Sequence, residues 1–215
     1  VNVLGTRGAS KRKAEPGLQL RQDAAKGISV VGLSEHEPSS AQEVFEMLAT
    51  GNLKRAVSET AANAASSRSH AVLQISLRRS SKAAGVSDSH QLGKLTLVDL
   101  AGSERGSVSR NRGETLKEGA NINKSLSALG NVINALVESA KGKKNVFVPY
   151  RNSKLTRVLQ ESLGGNSLTA MLAALSPAAV NHDETLSTLK YAARAKSIKL
   201  SAKKNEEASQ ISKLE

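Results

Sequence analysis

Alternating strand and helix signals predict an α/β fold, and three stretches carry the prediction. Lys94 to Val98 reads as a strand that ends in an acid, Asp99, and runs at once into the small-residue turn Ala101-Gly102-Ser103. Leu73, Ile75 and Leu77 alternate with Gln74, Ser76 and Arg78, the period of a half-buried strand. Ile122, Leu126, Leu129, Ile133, Leu136 and Ala140 recur at three- and four-residue steps, which marks one apolar face of a helix from about Thr115 to Ser139.

The remaining elements follow in order. Val1 to Pro16 is basic and aperiodic, a loop. Leu18 to Gln22 and Ile28 to Leu33 are short strands around Ala24-Ala-Lys-Gly27. Ser39 or Ser40 caps a helix, with Glu43 near the end of a capping box and Val44, Met47 and Leu48 facing inward. Gly51-Asn52 is expected to stop it. Ser58 to Ser69 is polar and short-sided, a loop, and Ser80 to Ser89 is a hairpin-like connection into the strand that ends at Asp99. After the long helix, Lys141-Gly-Lys-Lys144 makes a basic turn. Asn152 or Ser153 caps a further helix with Leu155, Val158, Leu159 and Leu163 inside, ended by Gly164-Gly165. Leu168 to Leu175 is nearly all apolar and fits a strand buried on both faces. Asp183 to Arg194 is the last regular helix. From Lys196 the chain is charged and expected to be mobile, with a frayed helix over Glu206 to Glu215.

The chain has 215 residues, enough for one core or two small ones, and 39% of them are hydrophobic. Aromatics make up only 2%, without tryptophan, so the interior must be built from Leu, Val, Ile and Ala. The chain contains no cysteine, which excludes disulfides and thiolate metal sites within it. His36, His70, His90 and His182 are scattered without a helical i, i+4 pair, so no histidine metal site is expected. No apolar run approaches the ~20 residues of a membrane span, and no membrane partner is expected. The net charge of +12 calls for a polyanionic partner: nucleic acid, an acidic membrane face or an acidic protein surface. Scarce aromatics argue against single-stranded nucleic acid, which is commonly held by stacking.

An acid at the carboxyl end of a strand, followed by glycine, suits nucleotide binding. The carboxylate can face a Mg²⁺ ion, and the bare backbone of Gly102 can approach a phosphate oxygen. The plainer alternative is a buried strand that ends in an ordinary Asp turn. The wording is more specific than either reading. Leu97-Val-Asp-Leu-Ala-Gly-Ser-Glu-Arg105 resembles switch II of kinesin motor domains. Asn63-Ala-Ala-Ser-Ser-Arg-Ser-His70 resembles switch I, where the alternative is a serine-rich loop. Asn121-Ile-Asn-Lys-Ser-Leu-Ser-Ala-Leu-Gly130 and Pro149-Tyr-Arg-Asn-Ser-Lys-Leu-Thr-Arg157 resemble the two microtubule-facing helices. The matches come in the family's order and run from about Leu18 to about Asn205.

The resemblance implies a partial kinesin-type P-loop NTPase fold, a mixed central sheet flanked by helices, with ATP and Mg²⁺ as cofactors. It places Ser67 and Asp99 on the Mg²⁺ side, the latter through water. Ser66 and Asn63 would hold the lytic water and γ-phosphate, and the Gly102 amide would sense that phosphate. Arg68 and Glu104 align with the family's inter-switch ion pair, whose alternative is a solvated surface charge. His70 closes the motif and has no evident proton to move, so it reads as structural. Lys124, Lys141, Lys143, Lys144, Arg151, Lys154 and Arg157 align with the side that meets tubulin. For these the alternative is plain solubilising charge.

No G-x-x-x-x-G-K-[ST] phosphate loop occurs; Gly119-Ala-Asn-Ile-Asn-Lys-Ser125 lacks the second glycine and lies within the long helix. In the family that loop precedes switch I. The expectation is therefore a C-terminal motor portion over residues 1–195, which alone binds ATP poorly. A neck linker would start at Ala195-Lys-Ser-Ile-Lys199, with Asn205 near the latch position and 196–215 as linker and following segment. Such a linker suggests plus-end direction. Arg110 and Arg112 stand where the family commonly has glycine and glutamate, and Ala61-Ala62 replaces Asn-Met. Asn131 to Leu136 leans toward the kinesin-eight subfamily. The implied whole is a homodimeric microtubule motor of the cytoplasmic cytoskeleton. The alternatives are a kinesin-derived filament binder without an engine and, more weakly, a basic nucleic-acid-binding domain.

Overall fold

The computed structural model describes residues 18–23, 27–57, 69–80, 90–102, 114–203 and 205–207. Strands β1 (Gln19–Asp23) and β2 (Gly27–Val31) form an antiparallel hairpin in which Gln19 pairs with Val31 and Asp23 with Gly27. Helix α1 follows over Ala41–Val57. Strands β3 (Ala71–Ser80) and β4 (His90–Asp99) pair antiparallel along their whole length, from Ala71 with Asp99 to Ser80 with His90. Next come the long helix α2 (Glu114–Ala140), α3 (Lys154–Val158), α4 (Gln160–Gly164) and α5 (His182–Lys196). Strand β5 (Asn205–Glu207) returns to the edge of β4. Helices and strands mix as the sequence predicts. The described strands make two antiparallel sheets, β1-β2 and β3-β4-β5.

The core forms where α2 meets α3 and α5. Leu129, Ile133 and Val137 of α2 are buried with Leu155 and Leu159, and Leu100, Leu163, Tyr191, Ala195 and Ile198 pack around them. The buried strip of α2 is broader than the predicted stripe. Val132 is wholly inaccessible and Ala128 is buried, whereas Ile122, Leu126 and Leu136 are only half-buried. A helix covered from two sides needs a wider apolar face than one lying on a single surface. Burial pushes the Tyr191 phenol up to about 12 despite the opposing Arg194. The Arg194 guanidinium lies 5.7 Å from the Tyr191 ring centre and donates to Asn134 Oδ1 at 3.3 Å.

Four expectations need correction. Gly51-Asn52 does not stop α1, which continues to Val57; a helical glycine costs only ~1 kcal/mol relative to alanine, and good helix formers follow it. At its start, Ser40 Oγ accepts from the Glu43 amide, but Glu43 reaches back to Ser39 rather than Ser40, so the box is offset by one residue. The helix capped by Ser153 is interrupted at Leu159, where ψ is 2°, and is divided into α3 and α4. Leu168 to Leu175 forms no strand: Leu168 and Leu172 are 85% and 96% exposed. An apolar run becomes a strand only when another strand offers hydrogen bonds, and no described strand flanks this one.

The fourth correction concerns the segment after α5, whose described residues, 197–203 and 205–207, are tied down. Ile198 packs on the core, Asn166 Nδ2 donates to the Lys203 carbonyl at 3.0 Å, and Asn205 pairs with Leu92. Glu206 and Glu207, expected in a frayed helix, are strand instead. The predicted loops over 1–16 and most of 58–69 and 80–89, with Ala61-Ala62, Arg110 and Arg112, lie outside the described residues.

Large apolar side chains also stand exposed at Phe45 (65%), Val180 (90%) and Leu189 (46%). Produced alone, the 215 residues should bind a fluorescent dye specific for apolar surface and melt without a cooperative transition. A sharp melt with no dye uptake would contradict this.

Candidate nucleotide switch and filament-facing surface

Antiparallel pairing with β3 delivers Asp99 to the end of β4, directly opposite Ala71. Pairing in this register therefore brings His70, the last residue of the serine-rich motif, beside the turn that follows Asp99. Asp99 is solvent-exposed, Gly102 is half-buried and Ala101 is buried at 4% exposure. Hydrogen bonds fix this corner. The Ala101 amide donates to His70 Nδ1 at 2.9 Å. His70 Nε2 lies 2.7 Å from Ser125 Oγ, and that hydroxyl donates to the Ile122 carbonyl at 2.7 Å.

Because Nδ1 accepts, the ring proton sits on Nε2 and is donated to Ser125. The imidazole is neutral in this arrangement. Burial lowers its pKa, against the pull of the Asp99 carboxylate in the other direction. His70, which the sequence marks as structural, holds this junction together. The signal was available in the position of the motif-ending histidine, one residue before Ala71, which pairs with the strand-ending Asp99.

Of the predicted switch residues, Asp99 and Gly102 stand together in the turn, three positions apart. Asn63, Ser66, Ser67, Arg68 and Glu104 lie outside the described residues. Oxygen donors suit a hard cation such as Mg²⁺, and the exposed Asp99 carboxylate is a donor of that kind. Gly102 offers a backbone with no Cβ to hold a phosphate oxygen away.

The basic surface is built around the turn between α2 and α3. Gly142 at φ 94° and Asn145 at φ 57° turn the chain. Lys141, Lys143 and Lys144 are exposed there, and Lys124 is exposed on α2. Lys143 pairs with Glu138 at 3.1 Å, an exposed contact worth under ~1 kcal/mol. Ser153 caps α3 with a full box: its hydroxyl accepts from the Thr156 amide, and the Thr156 hydroxyl accepts from the Ser153 amide. Thr156 is wholly buried, and its hydroxyl also donates to the Tyr150 carbonyl at 2.7 Å. This cap sets the directions of Arg151, Lys154 and Arg157. Lys154 Nζ donates to the Leu18 carbonyl at 3.2 Å and Arg151 reaches Gln22 at 3.5 Å, so the β1–β2 hairpin buttresses the patch. Arg157 is half-buried.

A family model described as the kinesin motor domain matches residues 4–198. The chain is 55% identical over 188 residues to kinesin-like protein KIF18B of Gallus gallus, covering 87% of this chain and 23% of that protein. It is 53% identical to KIF18A of Mus musculus, covering 87% and 21%, and 48% identical to KIP3 of Saccharomyces cerevisiae, covering 88% and 24%. Among solved structures it resembles a KIF14 dimer in a two-heads-bound state with AMP-PNP in complex with a microtubule. The TM-score is 0.79 at 46% identity, over 93% of this chain and 55% of that one. A structure described as a fast kinesin gives a TM-score of 0.76 at 48% identity, over 90% and 53%. The chain thus spans between a fifth and a quarter of the length of these curated relatives.

The depressed His70 pKa fixes a sign. A histidine held neutral contributes stability that is present above its ordinary value near 6.5 and lost as pH falls through the lower folded-state value. Within the full-length protein, the melting temperature should fall more steeply on acidification below about pH 6.5 in wild type than in His70→Ala. Parallel pH profiles would refute this.

Proposed function

The chain belongs to the kinesin motor domain family, and from that premise we propose that the whole protein is a microtubule-stimulated ATPase that couples ATP hydrolysis to movement along, or remodelling of, microtubules. The observation that carries the reading is the corner at the end of β4. There the turn that carries a strand-ending carboxylate, Asp99, and a phosphate-approachable glycine, Gly102, is joined through the Ala101 amide and His70 to Ser125 of the helix that bears Lys124. One end of that connection has nucleotide chemistry and the other has filament chemistry.

The roles are those that the resemblance to the family's switch motifs implies. Mg²⁺, when bound with ATP, neutralises phosphate charge and orients the terminal phosphoryl group. Asp99 and the Ser67 hydroxyl would hold the cation, the aspartate through water. Ser66 and Asn63 hold the attacking water and the γ-phosphate, and the Gly102 amide donates to that phosphate. Arg68 and Glu104 close the two loops over the site as an ion pair that forms with phosphate and opens when it leaves. Positive charge at Lys124, Lys141, Lys143, Lys144, Arg151, Lys154 and Arg157 steers the protein to the acidic tubulin surface.

The similar relatives KIF18A, KIF18B and KIP3 support placement in the kinesin-eight group. We place the protein on the microtubule cytoskeleton and propose a homodimer, the arrangement named for the similar KIF14 structure.

In the full-length protein, Glu104→Ala should abolish microtubule-stimulated ATP turnover while leaving co-pelleting with microtubules. Full turnover in that variant would remove the ion-pair mechanism. Co-pelleting of a wild type with no turnover would favour the engine-less filament binder.

Combined Lys141→Ala, Lys143→Ala and Lys144→Ala should weaken co-pelleting and flatten its salt dependence, because exposed charges are screened beyond a Debye length of about 8 Å at physiological salt. An unchanged salt profile would reassign these lysines to solubility.

A further inference from the structure

The three hydrogen bonds around His70 do more than fill a buried corner. They join three segments that are distant in the chain: the end of the serine-rich motif, the turn after β4 and the middle of α2. Each bond has a defined direction. The Ala101 amide gives to Nδ1, Nε2 gives to Ser125, and Ser125 gives to the Ile122 carbonyl within α2. The ring can serve both neighbours only as the neutral Nε2–H tautomer and only while α2 holds its place relative to β4. A shift of α2 along its axis by two residues, about 3 Å, would stretch even a bond lying square to the axis from 2.7 Å to about 4 Å, beyond hydrogen-bond reach. The amide that His70 holds belongs to the residue before Gly102, and Ser125 follows Lys124.

We propose that His70 is a positioning residue: by holding the Ala101 amide and Ser125 at once, it fixes the turn that carries Gly102 to the placement of α2. The inference rests on the reading given under Proposed function and deepens it. His70 touches neither phosphate nor filament; it acts through Ala101 on one side and Ser125 on the other. Ser125 is the cleaner place to cut the connection, because its removal leaves the His70–Ala101 bond intact.

The test uses the full-length protein and measures ATP turnover with and without microtubules, together with co-pelleting. Ser125→Ala should leave basal turnover within about twofold and lower the microtubule-stimulated kcat by about 5–100-fold, the span of ordinary coupling energies. The KM for ATP should change little. Ser125→Thr, which keeps the hydroxyl, should restore stimulation. His70→Ala should reduce stimulation at least as much, and the double variant His70→Ala/Ser125→Ala should be no worse than His70→Ala alone, since both break one connection.

Undiminished stimulation in Ser125→Ala overturns the proposal. So does a proportional loss of basal and stimulated turnover that Ser125→Thr fails to rescue, the mark of simple misfolding. If wild type co-pellets and is stimulated while Ser125→Ala behaves as wild type, the coupling falls and the motor reading stands. If wild type shows no stimulated turnover, the motor reading falls and takes the coupling with it.

Discussion

Burial of α2 is the constraint on which the rest of the structure depends. Its 27 residues cross the molecule, and the strip around Leu129, Val132, Ile133 and Val137 is covered by α3 on one side and α5 on the other. With so few aromatics, close packing of branched aliphatic side chains must supply most of the cohesion. That packing sets the position of Ser125, and hence of the His70 ring and the turn after β4. It also sets where α2 ends, and therefore where the basic turn projects. The turn after β4 and the basic turn after α2 consequently share one rigid reference.

The sequence made visible whatever depends on local pattern. Period-two alternation placed β3, three-and-four periodicity placed α2, and the Ser153 cap with its following apolar residues placed α3. Less legible was whatever depends on a partner. Leu168 to Leu175 has the composition of a buried strand, but composition cannot supply the neighbouring strand that would make it one. Conversely, Asn205 to Glu207 has a polar composition unlike a strand and becomes one because the edge of β4 is free to pair with it. Tertiary hydrogen bonding overrides propensity in both cases.

The candidate site was legible to a similar extent. Motif wording singled out Asp99 and Gly102, and β-pairing puts the motif-ending residue 70 next to their turn. The role of His70 was hidden because a histidine that neither binds metal nor moves a proton leaves no motif of its own. Its meaning lies in which two segments it joins. One of them, Ser125, is 55 residues away in sequence.

The basic surface shows why counting charges is a poor guide to what they do. Lys143 is paired with Glu138, Lys154 is held by the Leu18 carbonyl and Arg151 leans on Gln22. Read as contacts, these bonds make the side chains look occupied with holding the hairpin to α3. Read as electrostatics, two of the three cost the surface no positive charge, since a carbonyl and an amide oxygen carry no net charge to cancel it. Held side chains also lose less rotamer entropy when a partner arrives than free ones do. The same bonds that fasten the β1–β2 hairpin to α3 would therefore preorganise Arg151 and Lys154 for the acidic partner proposed above. Lys141, with no such tether among the described residues, would contribute mainly long-range attraction, which salt screens most readily.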